Sequence, residues 1–491
     1  MGKPLSPDTL VYDVTTAGDP WVSPDGSQIV YALSTTDRDS RKTASQLWVR
    51  GIDGSTPRQL TWSGEHNGGG RWSPDGRQIA FVSDRVPKSG IFVLPSGAGG
   101  EAREITRHGQ PIGELAWSPD GTRLAYTVLV DPANPADAEL PAGAAPRVRV
   151  TRRIDYKQDN RGYLNDARIQ VFVVDVATGA RRQITTDPFD HNFPQWSPDG
   201  RQLAAKVSYR NGFHAQLAVI SVESGETTLV GAETDMVGLW AWSPSGDRII
   251  FASDISHTFQ SDFFVYDVAA GTTRRLTDDL QSLPEAGFPT LQPPAQPAWL
   301  DDRRVLFHAV RGGASELAVI DSSSGAVEPL RRWDAIHAGL SVDAARRYVV
   351  QAHSRIDAVG EIVVYDTATE RTQVVTDYNG PLLQDHPAPA WEQLTVQRGG
   401  FAIDAWLLKP PGFDASRRYP MVLDVHGGPH GYYGYGFNAI QQCLATNDFL
   451  VLYVNPRGSA SYGRTFAQQV VRDWGGEDYL DLMAAVDTVL D

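Results

Sequence analysis

Five residues, Trp72-Ser73-Pro74-Asp75-Gly76, return along most of the chain and impose a period on it. They recur intact as Trp117-Ser118-Pro119-Asp120-Gly121 and Trp196-Ser197-Pro198-Asp199-Gly200, and in weaker form as Trp242-Ser243-Pro244-Ser245-Gly246. An earlier copy, Val22-Ser23-Pro24-Asp25-Gly26, lacks only the aromatic residue, and Trp299-Leu300-Asp301-Asp302 and Leu340-Ser341-Val342-Asp343-Ala344 keep the outline. Pro at the second turn position presets φ, Asp bonds its own backbone, and Gly takes the left-handed conformation that closes a type I turn with a bulge. An apolar strand follows each turn, as in Gln78-Ile79-Ala80-Phe81-Val82-Ser83, then a third such as 46–50 and a fourth ending in Arg58-Gln59-Leu60-Thr61. Seven copies, mostly 41 to 57 residues apart, predict seven four-stranded units and hence an all-β seven-bladed β-propeller. A β-sandwich that reuses turns would not repeat a four-strand period.

At 491 residues the chain exceeds what one core holds, which predicts two domains. A net charge of −15 argues against nucleic-acid or anionic-membrane partners. The start lacks the apolar core of a signal peptide, and the longest apolar run, 449–454, is too short to span a bilayer, so a cytoplasmic protein is expected. Cys443 is the only cysteine, which excludes an intramolecular disulfide and suits a reducing compartment. Nothing in the chain calls for a cofactor or a metal.

Residues 1–19 read as a lead-in able to pack on another domain, 20–378 as the propeller, and 379–390 as a Pro-rich linker. One repeat interval is out of line, the 79 residues from Trp117 to Trp196. The excess falls between the second and third strands of the third blade. Its first part, 131–146, is rich in Ala and Pro and reads as a mobile loop. Its second, 147–161, sets Arg147, Arg149, Arg152, Arg153, Lys157 and Arg161 against Asp155 and Asp159, with a strand-like stretch at 148–154. The plainer reading of such a basic run is a solvated or subunit-facing surface.

After the linker the repeat vanishes, and 391–491 change character. A hairpin (393–396 and 401–409) precedes the apolar run 420–425, of the kind buried on both faces of a sheet. That run empties into His426-Gly427-Gly428-Pro429-His430. A helix (437–446), a second buried strand (449–454), the loop Asn455-Pro456-Arg457-Gly458-Ser459 and a helix (478–490) follow. The last helix sets Tyr479, Leu482, Met483, Val486, Val489 and Leu490 on one stripe. This order describes a doubly wound α/β sheet. Two glycines after a buried strand let backbone approach a reacting carbonyl, so that a fixed N–H can stabilise an oxyanion.

With these motifs, and with Trp406-Leu407-Leu408-Lys409-Pro410, Tyr462-Gly463 and Asp473-Trp474-Gly475-Gly476-Glu477-Asp478 in the same order, the chain resembles the prolyl oligopeptidase family of serine peptidases and its acylaminoacyl-peptidase-like branch. The resemblance covers nearly the whole chain. It implies a seven-bladed β-propeller followed by an α/β-hydrolase domain, a Ser-Asp-His triad between them, and short peptides as substrates. It also implies that the backbone N–H of Gly428 is one oxyanion donor, with Gly427 beside the substrate.

One departure is decisive. No Gly-x-Ser-x-Gly occurs in the sequence, and His426 and His430 precede any nucleophile in the Ser, Asp, His order of this fold. Ser459 and Ser461 lack the elbow pattern. The expectation is therefore that only the N-terminal part of the hydrolase domain is present, that a missing C-terminal catalytic segment supplies the triad, and that the 491-residue chain alone is inactive. Since the family's propeller loops face the cleft, Arg152 and Arg153 are candidates for gripping a substrate's terminal carboxylate, as guanidinium groups do bidentately. That would favour carboxypeptidase-type trimming. An alternative of another class is a non-catalytic binding propeller resembling the Tol-system propeller, which leaves 391–491 without a role. The substrate end and a homo-oligomeric state stay open.

Overall fold

The computed structural model describes residues 2–490 apart from 87–88, 98–99, 132–142, 146–147, 149, 155, 159–161, 210–213, 259, 283 and 285–294. Among the described residues, the strands from Thr16–Val22 to Arg371–Val374 form seven four-stranded antiparallel blades, each drawn from consecutive sequence. Blades four and five are joined into one sheet by a single parallel bridge, Ala215 to Met236. The repeated turn joins the first two strands of each blade. In blade one Gly26 sits at φ +73° and its N–H returns to the Ser23 carbonyl at 2.9 Å. Asp25 Oδ1 accepts from Ser23 Oγ at 2.5 Å and from the Ser27 N–H at 3.0 Å, bonds that hold its carboxyl below the usual range. Asp75, Asp120 and Asp199 repeat the arrangement. In blade five, where Ser245 replaces the acid, Asp247 accepts from Ser243 Oγ instead, at 2.8 Å.

The tryptophan of the repeat has a separate task. Its indole N–H donates to a backbone carbonyl on the first strand of the preceding blade: Trp72 to Trp21 at 2.9 Å, Trp117 to Arg71 at 3.0 Å and Trp196 to Ala116 at 3.0 Å. Trp242 reaches Gln195 at 3.4 Å and Trp299 reaches Ala241 at 3.1 Å. Five staples thus link blades one to six. Blade one carries Val22 at this position and blade seven Val342, which pairs with Val349 as Val22 pairs with Ile29; the repeat expected at 340–344 is therefore shifted, its turn running from Val342 to Arg346, and blade seven is joined on both sides by other means. Towards blade one these are the Val22 N–H to Ser341 Oγ bond at 2.9 Å and an apolar cluster of Ile29 and Tyr31 with Val350, Ile362 and Val364.

The propeller opens at Thr16, inside the expected lead-in. Asp19-Pro20, which reads as a boundary, is a bulge within the first strand, where a proline without an N–H is tolerated. The lead-in itself packs on the second domain. Leu5 is buried, its N–H donates to Thr446 Oγ1 at 3.0 Å, and its carbonyl accepts from Asn447 Nδ2 at 2.8 Å.

The long interval lies between Arg123–Val130 and Arg168–Asp175, the second and third strands of blade three. Most of its Ala- and Pro-rich part, with Arg147, Arg149, Arg161, Asp155 and Asp159, lies outside the described residues. The strand-like reading of 148–154 is corrected: its described residues form no strand, and the paired segments are Lys157–Gln158 and Gly162–Tyr163. Val148, Val150 and Ile154 are instead exposed, without the neighbouring strand that a β ladder requires.

The second domain is a four-stranded sheet in the order Ala390–Arg398, Phe401–Lys409, Leu450–Asn455, Met421–Asp424, with only the last pairing parallel. Met421–Asp424, expected to be buried on both faces, is half-buried, because it is an edge strand with one partner. The helix Glu477–Leu490 keeps Leu482, Val486 and Val489 of its expected stripe on the core but departs from it at its ends. It also buries Asp481, which Arg457 holds, and Ala485, while Tyr479 and Leu490 are exposed.

The two domains meet on the propeller side opposite the Ser-Pro-Asp-Gly turns. The Gly312 N–H donates to the Ser461 carbonyl at 2.9 Å, Phe437 N–H to Ser354 Oγ at 3.0 Å, and Gln442 Nε2 to the Ile356 carbonyl at 2.7 Å. From the second domain Arg464 pairs with Asp262 and with Asp278 of blade five. These contacts come from loops between second and third strands in blades six and seven, and from the margins of blade five. The blade-three insertion is the same class of loop and emerges on the same side.

Candidate active site

The strand Met421–Asp424 delivers the chain into His426-Gly427-Gly428-Pro429-His430 at the open edge of the sheet. Gly428 stands at φ +133°, where a side chain is strained, and a Cβ there would lie 2.6 Å from the Gly431 nitrogen. Glycine is required by the backbone itself. Gly428 is exposed, and among the described residues its N–H meets no acceptor within the chain. An amide without an internal acceptor, on an exposed loop beside a sheet's edge, is what an oxyanion donor needs.

The loop is tied to its neighbour, residues 455–461, at two points. His430 Nδ1 donates to the Gly458 carbonyl at 2.7 Å, and His426 Nε2 lies 2.9 Å from Ser459 Oγ. Ser459 is fully buried and also reaches the Pro456 carbonyl at 2.7 Å, so it is a structural hydroxyl rather than a presented nucleophile. Beneath it lies a buried ion-pair network. Arg457 donates from Nε to Asp481 Oδ2 at 2.9 Å and from Nη2 to Asp481 Oδ1 at 2.8 Å and Glu477 Oε2 at 2.7 Å. Arg398 adds a bond to Asp481 at 2.9 Å. Asp481 is fully buried, so two guanidinium groups and the Arg457 N–H balance its charge. On the other side Asn455 clamps Tyr433, accepting from its N–H at 2.7 Å and donating to its carbonyl at 2.9 Å. Burial and the Asp424 carboxylate push the Tyr433 phenol up, so it stays neutral.

Gly427 and Gly428 therefore share one exposed loop. The other two sequence candidates lie on the blade-three insertion in unlike settings. Arg152 is exposed, with Nη1 3.3 Å from Asp166 Oδ2. Arg153 is folded onto the blade, its side chain 8% exposed, with Nη1 donating to the Ala167 carbonyl at 3.0 Å and Nη2 3.8 Å from Asp190. Sequence reading passed over His426 as a working residue, and it missed Asp481. The motif Asn455-Pro456-Arg457-Gly458-Ser459 was the available signal for Asp481, since a buried arginine needs an acid.

A seven-bladed propeller docked on an α/β sheet domain, with the exposed Gly428 on the loop that follows the sheet's edge strand, defines a propeller-capped α/β-hydrolase. Residues 11–133 and 194–392 match the TolB beta propeller domain, and residues 435–491 match the prolyl oligopeptidase family. The chain belongs to the prolyl oligopeptidase family of serine-type peptidases, with a propeller of the TolB kind. It is 28% identical over 505 residues to the uncharacterized peptidase YuxL of Bacillus subtilis (strain 168), covering 100% of this chain and 76% of that protein. With dipeptidyl-peptidase 5 of Porphyromonas gingivalis it shares 23% identity over 518 residues, covering 99% and 72%. Among solved structures, the Pyrococcus horikoshii acylaminoacyl peptidase superposes with a TM-score of 0.78 at 19% identity, covering 98% of this chain and 72% of that one. No helix among the described residues is long and apolar enough to cross a membrane.

Proposed function

We propose that this chain forms the substrate-admitting propeller and the oxyanion side of a cytoplasmic serine peptidase that trims short peptides, as an acylaminoacyl peptidase or a related exopeptidase. The observation that carries this reading is exposed Gly428, whose amide meets no acceptor among the described residues, on a loop tied down at both ends. Such a donor is worth about 2.7 to 4 kcal/mol to an acyl-transfer step. It needs a nucleophile and a base, and no Gly-x-Ser-x-Gly stands among the 491 residues. These residues alone are therefore inactive, and the triad comes from a catalytic segment outside them. The test is hydrolysis of acyl-peptide and ester substrates by a preparation whose mass matches these 491 residues. No turnover above buffer is expected, and robust inhibitor-sensitive turnover would overturn the proposal.

Carboxypeptidase-type preference is a second reading, favoured by the exposed guanidinium of Arg152 on the domain-facing side of the propeller. Arg153, occupied by Asp190 and the Ala167 carbonyl, has at most a supporting part in it. A purely binding propeller has less support, because it gives the Gly428 loop and the ion-pair network under it nothing to do.

A further inference from the structure

Two glycines join the second and third strands of blade six, Arg304–Arg311 and Ala314–Asp321, and both stand in the left-handed region, Gly312 at φ +55° and Gly313 at φ +74°. A two-residue hairpin turn asks for that conformation at both positions. Only Gly313 is also held to glycine by what lies outside the turn. A Cβ on Gly312 would meet nothing nearer than Asp404 Oδ2 and Tyr462 Cε1, both at 3.7 Å, whereas one on Gly313 would lie 2.6 Å from the Tyr433 carbonyl oxygen and 3.0 Å from Gly434 Cα. A Cβ on Gly434 would in turn strike the Gly313 carbonyl. Propeller backbone and second-domain backbone therefore meet here with no side chain between them, and the Tyr435 N–H donates to the Gly313 carbonyl at 3.2 Å. On the turn's other face the Gly312 N–H donates to the Ser461 carbonyl at 2.9 Å and the Gly313 N–H to Ser461 Oγ at 3.3 Å.

The two segments that this turn touches are the two that flank the Gly428 loop. The first, 433–435, starts two residues after Gly431, whose N–H closes the loop on the Gly427 carbonyl at 3.2 Å. The second ends the stretch 455–461, to which His426 and His430 are tied. Fully buried Asn455 joins the two through the N–H and carbonyl of Tyr433. We infer that Gly313 is a positioning residue supplied by the propeller: its main chain fixes the spacing of these segments and, through them, the place of the Gly428 amide. The inference rests on the reading of Gly428 given above. The sheet domain does not achieve this unaided. Among the described residues the N–H of buried Tyr435 has no acceptor besides Gly313, and a buried amide left without one is costly. An oxyanion donor works only in a fixed geometry, so the propeller contributes to the chemical step as well as to substrate admission.

The test compares alanine at the two glycines of the turn. Both substitutions put a side chain in the left-handed region, so the backbone strain is common to them and only the contact with Tyr433 and Gly434 differs. In nitrogen NMR of the 491-residue chain with isotope-labelled glycine, Gly313→Ala should move the Gly428 amide resonance and Gly312→Ala should leave it near its original place. A Gly313→Ala chain in which Gly434 moves and Gly428 does not would mean a contact that serves the domain junction alone, and overturns the inference. Should Gly313→Ala not fold, Ser461→Ala takes its place. It adds no atom, removes the hydroxyl on the turn's other face and should move Gly428 in smaller measure, and an unmoved Gly428 there overturns the inference too. In a form of the protein that hydrolyses peptides, Gly313→Ala should lose about a hundredfold in kcat with little change in KM, the cost of a group misplaced by about 1 Å, while Gly312→Ala should keep both. Equal losses in the two variants would trace the effect to backbone strain and overturn the inference. A displaced Gly428 amide with an undiminished kcat would overturn instead the assignment of Gly428 as oxyanion donor.

Discussion

Arg152 and Arg153 are adjacent in sequence, yet the chain turns one to solvent and the other onto Asp190. Their expected effects differ accordingly. If Arg152 reads a terminal carboxylate, Arg152→Ala in a hydrolysing form should lower kcat/KM for short free-acid peptides by roughly ten- to a hundredfold, the worth of a charge-assisted bond. C-terminally amidated peptides should lose much less, and equal losses for the two would return Arg152 to the solvated surface. Arg153→Ala should act mainly on the fold, since it strips Asp190 of a cation and the Ala167 carbonyl of a donor. Nothing in the local sequence separates these neighbours. Asp190 is distant in the chain, and only the packing of blade three against blade four brings it close. Gly428 was legible because its requirement is local: the conformation of one residue demands glycine.

At the scale of elements, the blades were readable from their turns because each turn is closed by residues at most five positions apart, as Ser23, Asp25, Gly26 and Gln28 illustrate. The task of the tryptophan was not, because its acceptor lies 46 to 80 residues away. The same limit explains the edge strand Met421–Asp424. Apolar composition says that a strand is buried, but which neighbours cover it depends on the order of the sheet. Replacing Trp196 by Phe should remove the bond to the Ala116 carbonyl while leaving most of the ring's packing, and should destabilise the propeller by about 1 to 3 kcal/mol. Chemical denaturation of the two proteins checks this. Equal midpoints would mean that water replaces the indole at no cost.

Across the whole molecule, three buried imidazoles connect blades six and seven just beneath the contact with the second domain. His308 Nε2 lies 3.2 Å from Ser315 Oγ, which accepts from the His337 N–H at 2.7 Å. His337 Nδ1 donates to Gln351 Oε1 at 3.2 Å, and its Nε2 accepts from His353 Nδ1 at 2.9 Å. Burial lowers His308 and His353 from their ordinary 6.5 to about 4, and His337 well below its usual value. Arg355 pushes His353 the same way, and Asp357 opposes it. Because the unfolded chain takes up these protons first, the stability they confer is complete above pH 6.5 and is lost as the pH falls towards about 4. Each of the two imidazoles should account for about 3 kcal/mol over that window. Urea unfolding at about pH 7.5 and pH 5 should show a marked fall in stability, which His353→Gln reduces. A flat profile would contradict the burial of neutral imidazoles.

The five indole staples, counted round the ring, have a mechanical consequence. They join six blades into an arc and stop short of the seventh, so the propeller behaves as a split ring, stiff along the arc and compliant at the two joints of blade seven. The second domain grips blades five to seven. A pull or a hinge motion passed through it therefore arrives at those two joints, and the ring should part there before any stapled joint yields.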